Sequence, residues 1–109
     1  MAYDERLAEQ IRKLLASRKG MTERKMFGGI AFMIGGNMCC GVVKSDLMVR
    51  VGPEQFEALL GEPGARPMDF TGRPMKGMLY VGPGTLRDAR TLAKWVRRGA
   101  DYAASLPPK

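Results

Sequence analysis

The sequence predicts an α+β domain in two layers, with helices packed on an antiparallel sheet in the order α-β(3)-α-β(2)-α. Three observations predict it. Apolar residues recur at helical spacing near both ends of the chain. Between them lie apolar runs of strand length, punctuated by glycine, asparagine and proline. The chain has 109 residues, one domain's worth, so 1–109 is read as a single unit with one modest core.

The first helix is predicted over residues 4 to 19. Asp4 is a good N-cap, Leu7, Ile11, Leu14 and Leu15 mark the apolar face, and Gly20 is a natural stop. After a short connection, "GIAFMI" and "MCCGVV" read as two strands joined by the hairpin "GGN", where glycine and asparagine tolerate positive φ. Ser45-Asp46 turns the chain again, and "LMVRV", Leu47 to Val51, completes a three-stranded meander. Pro53 suits a first helical position, which gives a short helix over 53 to 60 ended by Gly61. "GEPGARP" reads as loop. "MDFTG" and "MLYVG" read as the last two strands. A helix starting at Thr85, with Asp88 three residues on, then runs to about Ala104. Leu86, Ala89, Leu92, Ala93, Val96, Ala100 and Ala103 form its apolar face.

Composition narrows the function. Hydrophobic residues at 45% and charged residues at 27% match a globular protein. No N-terminal targeting pattern precedes the body and no apolar run approaches the ~20 residues of a membrane span, so a cytoplasmic protein without membrane attachment is expected. Two cysteines in that compartment are expected as free thiols. The chain has no histidine, which removes the usual general base, the commonest metal ligand and every histidine-assisted nucleophile. A non-enzymatic protein with no cofactor and no metal is the expectation. Its 18 Lys and Arg against 11 Asp and Glu, net +7, permit an acidic protein or nucleic acid as partner without requiring either.

Several motifs come near to chemistry and fail on context. Gly36 and Gly41 have P-loop spacing, but Lys44-Ser45 comes too late and the segment spans a hairpin rather than a strand-to-helix junction. "GPGTLR" joins a strand to a helix, yet Arg87 stands where a dinucleotide fingerprint needs its third glycine and no strand returns afterwards. "KMFGGIAF" shares positions with an RNA-stacking motif, but the chain opens with a helix and has Gly29 at an aromatic position. Cys39 and Cys40, adjacent on one strand, are expected to point to opposite faces and therefore not to chelate a metal together. Met26, Met33, Met38, Met48, Met68 and Met78 lie in or beside strands, where gap-filling core use is the default.

The candidate binding residues fall in two groups. On the last helix Arg87, Arg90, Lys94, Arg97 and Arg98 form a basic stripe, and Trp95 either closes the edge of the core, the favoured reading, or stands half-exposed in a partner site. On the proline- and glycine-rich connection lie Arg66, Arg73 and Lys76. Together the two groups are the expected partner surface.

The segments "MFGGIAFMIGGNMCCGVVKSDLMVRVG", "RPMDFTGRPMKGMLYV" and "LAKWVRRGADYAASLPP" closely resemble the N-terminal domain of the TfoX/Sxy competence-regulator family. The resemblance covers residues 10 to 107, with the Met-Phe-Gly-Gly start, the glycine hairpin, the Arg-Pro-Met segment and the late Trp95 as its most specific elements. It implies the same α-β(3)-α-β(2)-α fold, no catalytic or metal residues, and a role in transcriptional regulation through protein contact. The implied partner is a transcription activator of the cyclic-AMP-receptor type. Full-length members carry a second, C-terminal helical domain, and this chain is expected to be a stand-alone N-terminal domain. Direct nucleic-acid binding through the basic helix is the alternative.

Overall fold

The strands Gly29–Ile34 and Asn37–Val43 lie in near-continuous apolar runs, and the sheet's larger buried face meets the helices. The structure, a computed structural model, describes residues 3–26, 28–67 and 77–108. Helix α1 (Glu5–Leu15) leads into β1 (Met21–Met26), β2 (Gly29–Ile34), β3 (Asn37–Val43) and β4 (Asp46–Arg50). Helix α2 (Phe56–Leu60), strands β5 (Ala65–Pro67) and β6 (Met78–Val81), a 3-10 turn at Thr85–Arg87 and helix α3 (Ala89–Ser105) follow. The strands form one antiparallel sheet in the order β1-β2-β3-β4-β6-β5. Ile30, Phe32, Val42, Leu47, Val49, Leu79 and Val81 pack from the sheet against Leu7, Ile11 and Leu15 of α1 and Leu92, Trp95, Val96 and Ala100 of α3. On the sheet's other face Ala31, Met48 and Met78 form a second, smaller cluster with Met33, Met38, Val43 and Tyr80. The α+β class is as the sequence predicts. Among the described residues no helix is long and apolar enough to cross a membrane.

The sheet differs from expectation at three places. First, Met21–Met26 is a strand and not a connection. Its residues show no apolar run because it is an edge strand whose Thr22, Glu23, Arg24 and Lys25 are exposed, a composition that blocks pairing with other chains. Second, Ala65–Pro67, read as loop, pairs with β6. Three residues ending in proline carry no periodicity to detect. The strand expected at "MDFTG", residues 68–72, lies outside the described residues.

Third, the two turns of the meander sit one residue early. Gly35 and Gly36, at φ 61° and 82°, make the two-residue hairpin by themselves, a geometry that needs positive φ at both positions. Asn37 is already in β3, buried, and its Nδ2 donates to the Pro107 carbonyl at 2.9 Å, which ties the C-terminal tail to the sheet. Lys44 at φ 55° begins the next turn, with Asp46 already in β4.

Helix limits moved for local reasons. The Asp4 carboxylate caps α1 by accepting from the N–H groups of Arg6 and Leu7, as its residue type predicts. The helix ends at Leu15, four residues before the expected limit. Leu14, assigned to the apolar face, is 42% exposed, because Leu15 beside it takes the core position. At the other end Asp88, not Thr85, is the N-cap of α3: its carboxylate accepts from the Arg90 N–H at 2.9 Å. Thr85 belongs to the preceding 3-10 turn, where its hydroxyl donates to the Gly82 carbonyl.

The cysteines are free, as expected, but the expectation that they point to opposite faces is overturned. Phe32 pairs with Cys40 while Met33 pairs with Met38, so β3 carries an extra residue, Cys39, at a bulge. The bulge breaks the alternation and turns both thiols into the core. Both are fully buried, and their sulfurs lie 3.6 Å apart with Cys39 donating. That hydrogen bond and burial push the Cys40 thiol well above its usual range, the opposite of what a reactive thiolate needs. Both thiols should resist alkylation in native buffer and react together only on unfolding. Rapid modification of the folded protein, followed by mass spectrometry, would show that the thiols are accessible and reactive.

Candidate partner-binding surface

The expected basic stripe is divided by the acids around it. Glu62, in the turn after α2, pairs with Lys94 at 3.3 Å and with Arg98 at 2.7 Å. The Arg98 guanidinium also lies over the Trp95 ring, 4.7 Å from its centroid, and its Nη1 is buried without a hydrogen-bond partner among the described residues. Two of the five cations are therefore engaged within the domain. Arg87, Arg90 and Arg97 are exposed, and among the described residues no carboxylate pairs with them. Arg90 and Arg97, seven residues apart on α3, share one face of the helix.

Trp95 is 1% exposed and belongs to the main core. It closes the core, and the half-exposed alternative is excluded. Its indole is wide enough to reach the core from a position off the main apolar arc, which is why helical periodicity alone left it open.

Arg66 stands apart from α3. It pairs with Tyr80 across β5 and β6, on the side of the sheet away from the helices, while its neighbour Ala65 packs toward the core. Its guanidinium lies over the Tyr80 ring at 5.5 Å and bonds Asp46 at 2.8 Å. The structure thus does not join Arg66 to the α3 surface. Arg73 and Lys76 lie outside the described residues. Gly77, which follows them, accepts at its carbonyl from the N–H groups of Val51 and Gly52, and Gly52 packs against Tyr102 of α3.

That junction borders an open cleft of about 600 Å³ between residues 51–55 and the end of α3. Among its polar groups, Asp101 bonds Arg18 at 2.9 Å, and the Ser105 hydroxyl donates to the Tyr102 carbonyl. A second opening, of about 370 Å³, lies by Glu62, Thr85, Arg87 and Lys94. Among the described residues no cluster of three Cys, Asp or Glu side chains is placed to hold a metal ion.

Three groups of ion pairs that sequence reasoning missed tie the elements together. Arg12 of α1 grips Glu23 of β1 through two nitrogens and also bonds Glu9. Arg18, three residues past the end of α1, and Asp101 of α3 join the connection after α1 to α3. Glu62 is the third. Arg98, hydrogen-bonded to its carboxylate, and Lys94 beside it hold Glu62 below the usual glutamate range. A carboxyl whose folded pKa is depressed stabilises the fold fully above its unfolded value of about 4.3, and the contribution fades as pH falls through the lower folded value. Glu62→Gln should therefore lower stability at pH 7 and converge with the wild type in acid. Urea denaturation at pH 7 and pH 3 measures this, and an equal loss at both would show that the pair adds nothing.

Fold and surface together define a two-layer α+β domain that displays a basic last helix over an antiparallel sheet of six strands among the described residues. The family model of the TfoX N-terminal domain matches residues 13–103, and the chain belongs to that family. No match was found among curated proteins or among solved structures.

Proposed function

We propose that this domain is a non-enzymatic regulatory or adaptor module of the cytoplasm that acts by binding another protein in transcriptional regulation, with an activator of the cyclic-AMP-receptor type as candidate partner. Membership of the competence-regulator-like TfoX N-terminal domain family carries the reading. The divided basic stripe supports protein over nucleic acid. With Lys94 and Arg98 held by Glu62, Arg87, Arg90 and Arg97 are the cations of the stripe that have no ion-pair partner among the described residues, and about three phosphate contacts give a log–log salt slope near −3 with weak, sequence-independent affinity.

Affinity capture of the tagged domain from its own cell extract, with and without nuclease, tests the reading. A protein retained equally under both conditions is expected. Loss of that protein after nuclease, or sub-micromolar binding of a DNA duplex at physiological salt, would move the function to nucleic acid.

A further inference from the structure

Helices α1 and α3 cross the same face of the sheet and leave a dimple of about 80 Å³ between them. Leu15, Val96 and Ala100, all buried, form its floor, and Ala93 keeps its α3 wall low. Leu14 stands at its lip. It is the one large apolar side chain exposed among the described residues, so apolar surface and a socket for one branched aliphatic group lie side by side. Among the described residues the charges around them that lack an ion-pair partner share one sign. Arg97 lines the dimple, Arg90 lies two turns away on the same face, and Lys13 precedes Leu14; all three are exposed and none has a carboxylate partner among the described residues. The bordering acid, Asp101, is already paired with Arg18.

We propose that this dimple is the docking surface for an acidic amphipathic helix of a protein partner, an inference that rests on the protein-binding function proposed above. An aliphatic side chain of that helix seats against Leu14 and Ala93. Carboxylates on either side of it meet Arg90 and Arg97, whose Cα atoms are about 10 Å apart along α3, the span of two glutamates seven residues apart on a second helix. A helix fits better than an added strand. Among the described residues both sheet edges are blunted, β1 by its exposed charges and β5 by its length of three residues with Pro67. Nucleic acid fits less well because a phosphate backbone gains nothing from Leu14.

The test is amide NMR titration of the full chain at physiological salt with a synthetic helical peptide bearing glutamates seven residues apart and leucine between them. Controls are the same peptide with lysine for glutamate and a 20-base-pair DNA duplex. The glutamate peptide should shift the amides of Leu14, Ala93 and Arg97. Arg90→Glu with Arg97→Glu should weaken it at least tenfold and let the lysine peptide bind instead; Leu14→Ala, at a surface position, should weaken it severalfold with the spectrum otherwise intact. Unchanged affinity in these variants, shifts confined to other surfaces, no shifts at all, or stronger shifts of the same amides by the duplex would each overturn the proposal. The broader function is judged separately. A nuclease-resistant protein partner that binds the Arg90→Glu, Arg97→Glu variant as tightly as the wild type would sink this surface and leave the proposed function standing.

Discussion

Replacing Gly99 by alanine should destabilise the domain by about 2 kcal/mol or more, although the same change in a free helix interior stabilises by about 1 kcal/mol. Gly99 is buried in the middle of α3, where the helix crosses β3. A Cβ there would fall well inside van der Waals contact of the Cys39 carbonyl oxygen and press on the Val49 side chain. The carbonyl is backbone at the bulge, so relief requires the helix to lift from the sheet, and lifting it loosens Val96, Ala100 and Ala103 as well. Thermal and urea unfolding measure the effect. An alanine variant more stable than the wild type would show that the helix rides higher on the sheet than described.

Trp95→Ala should cost about 3 to 5 kcal/mol, the usual range for deleting a buried large aromatic, and this is a large share of the 5 to 15 kcal/mol that holds a domain folded. The indole sits in the main core and supports the Arg98 guanidinium, so its loss leaves a cavity and frees a cation that Glu62 alone must hold. Trp95→Phe should lose less, since a ring remains beneath Arg98. The comparison bears on function. If Trp95 were a partner contact, its alanine variant would keep the melting temperature and lose binding; the burial here predicts the reverse order, with stability lost first and binding lost only with the fold.

Legibility varied with how far each signal reaches along the chain. Asp4 as a cap, a glycine turn at 35–36 and the strands at 29–34 and, one residue out of place, at 46–50 are readable because each depends on residues within a few positions: a carboxylate that can reach two N–H groups, two residues that accept positive φ, an apolar run of strand length. Strand β1 was not readable, since an edge strand is defined by what lies beside it, and its charged residues serve the edge by staying out of the core.

The candidate surface was less legible than the fold. A helical wheel places Arg90, Lys94, Arg97 and Arg98 close together, but which of them is free depends on Glu62, about thirty residues earlier in the chain, and nothing in the local spacing of either segment announces the pairing. By itself the sequence determined the α+β class, the helix at each end, the meander between them, the family and a basic last helix. These follow from periodicity, turn chemistry and charge, which are properties of neighbours along the chain. Only the tertiary structure decided that a bulge turns both cysteines inward, that Trp95 is core, that Arg66 faces away from α3, and that Leu14 stands exposed between two helices. Each of those depends on which surfaces meet across the sheet, and side chains far apart in sequence compete for the same buried space.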